Sequence, residues 1–122
     1  MAKVMIFDDD NDILELCTII LREKGFEAVS ETSSKDVVER VQTINPDVVL
    51  MDNWIPGLGG VKAIQMLKEN KQTENIPVIL FSANNNIEEI ATEARADYFL
   101  KKPFDISALS TIVKRAINDN KK

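Results

Sequence analysis

At 122 residues and 44% hydrophobic content, the chain fits one domain, residues 1–122, with a single sizeable core. Its acidic balance, 20 Asp+Glu against 15 Lys+Arg, argues against nucleic acid as a direct partner; its short apolar runs and lack of a signal-peptide pattern argue against a membrane segment and for the cytoplasm. With no His and the single Cys17, an internal disulfide, ordinary zinc sites and nucleophile–histidine pairs fall away, leaving carboxylates, hydroxyls, lysines and a hard metal.

The predicted elements alternate between short apolar runs and longer amphipathic segments. Strand one, near 3–8, is Val4-Met5-Ile6-Phe7 running into Asp8-Asp9-Asp10. Helix one, near 11–24, carries Ile13, Leu14, Cys17, Ile20 and Leu21 on one face, with Asp10 or Asn11 as N-cap and Gly25 as a left-handed C-terminal cap. On that face Cys17 reads as packing. Strand two, near 26–30, alternates and reads as a sheet edge; helix two follows near 34–44. Strand three, near 47–52, is Val48-Val49-Leu50-Met51 ending at Asp52, before Asn53-Trp54-Ile55-Pro56-Gly57, and helix three follows near 60–71. Strand four, near 76–82, ends at Ser82, and helix four lies near 86–95. Strand five, near 97–101, runs into Lys101-Lys102-Pro103, and helix five, near 105–119, repeats the amphipathic pattern with Ile106, Leu109, Ile112, Val113, Ala116 and Ile117. The last residues, 118–122, read as a fraying tail.

Five βα units predict an α/β fold with an open, doubly wound parallel sheet, since a barrel needs eight. Strands three and four are apolar almost throughout, as expected where helices cover both faces. Ligands of such sheets bind beyond the carboxyl ends of the strands, where Asp8, Asp9, Asp52, Ser82 and Lys102 fall. Three carboxylates there call for a cation or a shifted pKa, and Mg²⁺ suits an oxygen-rich site. A metal, a lysine, a hydroxyl and a spare carboxylate together describe a site for a transferable phosphoryl group, with Asp52 as nucleophile.

The motifs Phe7-Asp8-Asp9, Met51-Asp52 with Pro56 and Gly60, Ser82-Ala83 and Lys102-Pro103-Phe104 resemble, in order and spacing, the receiver domain of two-component response regulators, over essentially the whole chain. The resemblance implies the flavodoxin-like strand order 2-1-3-4-5 with five helices. It makes Asp52 the phosphoacceptor, Asp9 a direct Mg²⁺ ligand, Asp8 a ligand through water, and the backbone carbonyl of Trp54 a third protein ligand. Ser82 resembles the switch hydroxyl, Lys102 the lysine that pairs with the phosphoryl group, and Phe99 the aromatic switch position, although a core role explains an aromatic in a strand equally well. The implied partners are a histidine kinase or histidine phosphotransfer protein upstream and a protein target downstream, met by the surface of helix four, strand five and helix five. The chain then is a single-domain regulator of the chemotaxis type or a receiver excised from a longer protein. Arg95 departs from the family, many of whose members close helix four with glycine, and puts the following loop in question.

Two rival readings remain. Phe7-Asp8-Asp9-Asp10 is also a strand followed by D-x-D, and Phe81-Ser82 resembles the second motif of haloacid-dehalogenase-type phosphatases, with Asp8 as nucleophile and Asp10 as acid; Asp12 departs from that pattern. A scaffold that binds a partner without being phosphorylated is the other.

Overall fold

The computed structural model describes residues 1–120. Five strands, β1 (Lys3–Phe7), β2 (Glu27–Glu31), β3 (Val48–Asp52), β4 (Val78–Ser82) and β5 (Tyr98–Lys101), alternate with α1 (Asn11–Glu23), α2 (Val37–Ile44), α3 (Gly60–Glu69), α4 (Ile87–Ala94) and α5 (Ile106–Asn120). All strand pairs are parallel, in the order β2-β1-β3-β4-β5. The expected fold class and strand order are therefore those observed.

The period-two alternation of strand side chains divides the core between two faces. Val4, Ile6, Val48, Leu50, Ile79 and Phe81 pack with Leu14, Cys17, Leu21, Leu109 and Val113 of α1 and α5. Met5, Phe7, Val49, Met51, Val78 and Leu80 pack with Val37, Val41, Ala63, Ile64, Leu67 and Ala91 of α2, α3 and α4. Every residue of β3 and β4 is buried, which is why both read as unbroken apolar runs, while β2 and β5 form the edges and alternate in exposure. Among the described residues no helix is long and apolar enough to cross a membrane.

Local signals placed most ends. Asp10 caps α1, its carboxylate accepting from the Asp12 and Ile13 amides, and Gly25 follows the helix at φ +88°. Of the ends that differ from expectation, three have a visible cause. Helix two begins at Val37, not residue 34, because Asp36 takes a left-handed φ of 56° and the Ser33 and Ser34 hydroxyls turn away to bond the carbonyl of Pro56. Helix three ends at Glu69, where Asn70 turns extended and its side chain accepts the Gln72 amide. The tail is helical through Asn120: Asp119 accepts the Tyr98 hydroxyl and faces Arg115 at 3.9 Å, fastening the last turn to β5. Lys121 and Lys122 lie outside the described residues.

The loop before β5 keeps the shape that a glycine would permit. Arg95 itself adopts φ 65°, its amide donates to Thr92 O at 3.2 Å, and its guanidinium reaches Gln65 O at 3.4 Å on α3. A side-chain contact across helices thus accompanies the left-handed conformation.

Candidate functional site

Because the strands are parallel, their carboxyl ends share one edge of the sheet, and the last residue of β3 meets there the residues just past β1 and β5. Asp8, Asp9 and Asp52 each place a carboxylate oxygen within 4.8 Å of the others. Asp8 and Asp52 are buried and Asp9 is exposed, so the cluster opens to solvent on one side. Lys102 spans the two buried acids: its Nζ lies 2.9 Å from Asp8 Oδ2 and 2.8 Å from Asp52 Oδ1.

The remaining oxygens are also held. Asp8 Oδ1 accepts the Asp10 amide at 2.9 Å, and Asp52 Oδ2 accepts the Trp54 amide at 3.1 Å. Burial pushes the Asp52 carboxyl above the usual carboxylate range, against the hydrogen bond and charge of Lys102; the charge of Asp8 adds to the rise. Burial opposes the charged form of Lys102, but hydrogen bonds to Asp52 and Asp8 and their charges outweigh it, so its pKa moves up. Below the cluster, burial pushes the Cys17 thiol up to about 11, with the charge of Asp8 adding to it and Lys102 opposing. It stays a protonated packing residue.

Gly60 is required at the start of α3. A Cβ there would lie 2.3 Å from the carbonyl oxygen of Asp52, and the Gly60 amide donates to Asn53 O at 3.0 Å. Only a glycine lets α3 come this close to the end of β3.

Ser82 ends β4, one position beyond the Asp52–Phe81 pair, and is buried. Its hydroxyl accepts the Asn84 amide at 3.1 Å, and its carbonyl accepts the Lys102 amide at 2.9 Å; it is engaged by its own loop rather than by the carboxylates. Phe99 is 42% exposed at the β5 edge, so it is not the simple core residue its strand position also allowed. Trp54 is 75% exposed beside the cluster.

Two supports had no local signal in the sequence. The Lys102 ammonium sits 4.5 Å from the centroid of the Phe81 ring, which packs edge-on against Phe104 at 6.5 Å. Phe81 thus braces the lysine from below. Ser34 reaches Pro56, 22 residues away, and steadies the loop after Asp52. Their partners become visible only when the strands are assembled.

Residues 4–114 match the family described as the response regulator receiver domain. The chain belongs to the response-regulator receiver family. Among relatives, this receiver domain is 26% identical over 120 residues to the DNA-binding response regulator MtrA of Mycolicibacterium paratuberculosis, a match covering 97% of the chain and 52% of MtrA. It spans about half the length of that relative. The receiver domain of a signal transduction histidine kinase from Syntrophus aciditrophicus superimposes with a TM-score of 0.89 at 25% identity, covering 98% of this chain and 92% of that one. The receiver domain of the sensor histidine kinase PA1611 from Pseudomonas aeruginosa, solved with a magnesium ion coordinated in its active site cleft, superimposes with a TM-score of 0.88 at 23% identity, covering 96% and 98%. As in its family, this receiver domain is a signalling phosphoacceptor.

Proposed function

We propose that Asp52 accepts a phosphoryl group from a phosphohistidine on a partner kinase or phosphotransfer protein, and that the domain, residues 1–122, then signals to a protein target. The observation that carries this reading is the Asp52 carboxylate, buried at a strand end, bridged by Lys102 and flanked by two further acids. In the transfer, a carboxylate oxygen of Asp52 attacks phosphorus, the bond from phosphorus to the imidazole nitrogen breaks with its electron pair going to that nitrogen, and, because the donor's other ring nitrogen carries a proton, neutral imidazole leaves on the donor. Lys102 holds the Asp52 carboxylate in place and balances charge on the phosphoryl oxygens.

Three carboxylates with one ammonium among them form a hard-oxygen donor set, which fits Mg²⁺. Asp9, Asp52 and the Trp54 carbonyl would hold it directly and Asp8 through water. When bound, it supplies positive charge against the transferred phosphoryl oxygens. In this scheme Ser82 releases the Asn84 amide and turns toward the phosphoryl group, Phe99 swings inward, and the surface of α4, β5 and α5 changes for the target. Trp54 and Asn84 flank the phosphoryl group and set its lifetime.

The phosphatase reading needs Asp10 as a proton donor toward the cluster. That carboxylate instead accepts the Asp12 and Ile13 amides, at 2.9 and 3.4 Å, as the cap of α1, so its oxygen is engaged by the helix backbone rather than aimed at the cluster. The test of the acceptor is treatment with acetyl phosphate and Mg²⁺, followed by mass mapping of a base-labile adduct. We expect one phosphoryl group on Asp52 and none in Asp52→Asn; label on Asp8, or undiminished label in the variant, overturns the proposal. Unchanged target binding by Asp52→Asn under phosphorylating conditions would instead favour the scaffold.

A further inference from the structure

We infer that Ser34 is a positioning residue for the phosphoryl and metal site, clasping the β3–α3 loop from the β2–α2 loop; this rests on the function proposed above. The side chain is fully buried and makes two hydrogen bonds: its hydroxyl donates to Pro56 O at 3.1 Å and accepts the Leu58 amide at 2.8 Å. Its own amide donates to the same Pro56 carbonyl at 2.9 Å, and Ser33 adds an outer bond to it at 3.3 Å.

The crossing is tight. Gly57 adopts φ +100°, and a Cβ there would lie 2.9 Å from the Lys35 nitrogen and 3.1 Å from Ser34 Oγ. The loop from Asp52 to Gly60 is otherwise held at its ends, by the sheet and by the Gly60 amide on Asn53 O, and in its middle by the buried side chain of Ile55. Ser34 supplies the polar anchor between these points. Two residues before Pro56 lies Trp54, whose amide orients Asp52 Oδ2 and whose carbonyl is the proposed metal ligand. A shift at Pro56 therefore passes through Ile55 to the two peptide groups that carry the Trp54 carbonyl and the Trp54 amide. A group hydrogen-bonded to a metal ligand changes affinity by roughly 10–100-fold when removed, and Ser34, which acts on the ligand through the backbone of Ile55, is expected at the low end of that range.

The experiment titrates Mg²⁺ alone into the wild type and Ser34→Ala, followed by calorimetry and by the fluorescence of Trp54, the single tryptophan of the chain. Exchange of the Leu58 amide is measured in the same samples. Thr73→Ala serves as the control: it deletes an equally buried hydroxyl, bonded to Leu67 O at 2.7 Å, beyond the far end of α3. We expect Ser34→Ala to weaken Mg²⁺ binding roughly tenfold and to speed Leu58 exchange, and Thr73→Ala to do neither. Unchanged Mg²⁺ affinity in Ser34→Ala, equal weakening in both variants, or unaltered Leu58 exchange overturns the clasp. A wild type that does not bind Mg²⁺ overturns the parent reading and this one with it, whereas wild-type binding that Ser34→Ala shares unchanged overturns the clasp alone. Should Ser34→Ala not fold, Ser33→Ala decides: it removes the outer bond to Pro56, and both effects are expected in smaller measure, their absence counting against the clasp.

Discussion

Two lysines tie down opposite ends of the same sheet, and they do different work. At the amino end, Lys68 donates to the carbonyls of Glu74 and Ile76 at 3.3 and 3.0 Å and to Asp97 Oδ2 at 2.6 Å, while Asp97 also accepts the Val78 amide at 2.8 Å. One cation meets one carboxylate and two carbonyls, and nothing is left over. At the carboxyl end, Lys102 meets two of three clustered acids. The first arrangement is closed and fixes two loops. The second carries surplus negative charge facing an open side, and such an imbalance is retained where a cation or a phosphoryl group is to be handled.

The sharpest way to break this comparison is to delete each ammonium. In Lys102→Ala, labelling of Asp52 by acetyl phosphate should fall on the order of 10²-fold or more, as when a preorganised charge is removed from a reacting oxygen. In Lys68→Ala, labelling should stay within about twofold while urea denaturation shows a loss of about 0.5–1.5 kcal/mol, the net worth of hydrogen bonds whose acceptors water can reach once the lysine is gone. If Lys68→Ala abolished labelling without loss of stability, or Lys102→Ala labelled normally, the division between the two ends would be wrong.

Mg²⁺ itself sharpens the contrast. A ligand that binds only the folded state at about 100 times its dissociation constant adds about 2.7 kcal/mol to stability. The wild type should show that gain in denaturation with and without the ion. Asp9→Ala, altering an exposed side chain, should change metal-free stability by no more than about 0.5 kcal/mol and should lose the gain. A gain that persists in Asp9→Ala would place the ion elsewhere.

The reason one end was legible in the sequence and the other was not is the range of the signals. Apolar runs ending in Asp8, Asp52, Ser82 and Lys102 put polar groups at strand ends, and a parallel sheet necessarily gathers those ends. The acids and the lysine could be placed together before any contact was known. The position of Lys102 between Asp8 and Asp52, over Phe81, depends on contacts 94 and 50 residues apart and on strand register. The same holds for the start of α2: locally Ser33-Ser34 looks like a helix beginning, and only the Pro56 carbonyl explains why the helix waits until Val37. At the other end, Asn118-Asp119-Asn120 has a tail's composition, yet Tyr98 supplies a partner for Asp119 that no window of the local sequence contains.

That last contact gives the amino end a signature in alkali. Burial, then the hydrogen bond to Asp119 and its charge, raise the Tyr98 phenol to about 12, with Arg115 opposing. A group whose folded pKa exceeds its unfolded value, about 10 for tyrosine, stabilises the protein fully below the unfolded value. That contribution is lost as pH rises from the unfolded pKa through the folded one. Tyr98 is the single tyrosine, so phenolate absorbance reports it without overlap. Its midpoint should lie near 12 and fall in Asp119→Asn; a midpoint at the ordinary tyrosine value would mean that the last turn of α5 is not fastened to β5.

The carboxyl end has the opposite signature, in acid and smaller. Asp105, at the start of α5, accepts the Ala108 amide at 2.7 Å and the Ser107 hydroxyl at 2.9 Å, and these bonds, the Ala108 amide first, hold its carboxyl below the usual aspartate range. The sign is reversed from tyrosine: the stabilisation is present above the unfolded carboxylate pKa and is lost as pH falls through the depressed folded value. Because Asp105 is exposed, the effect should be a slight steepening of acid unfolding rather than a shift of the whole curve. Asp105→Ala should remove that steepening and fray the first turn of α5, read as faster amide exchange at Ala108, while leaving Asp52 labelling intact. Were labelling to fall with it, the α5 start would belong to the reactive end of the sheet and not merely to its frame.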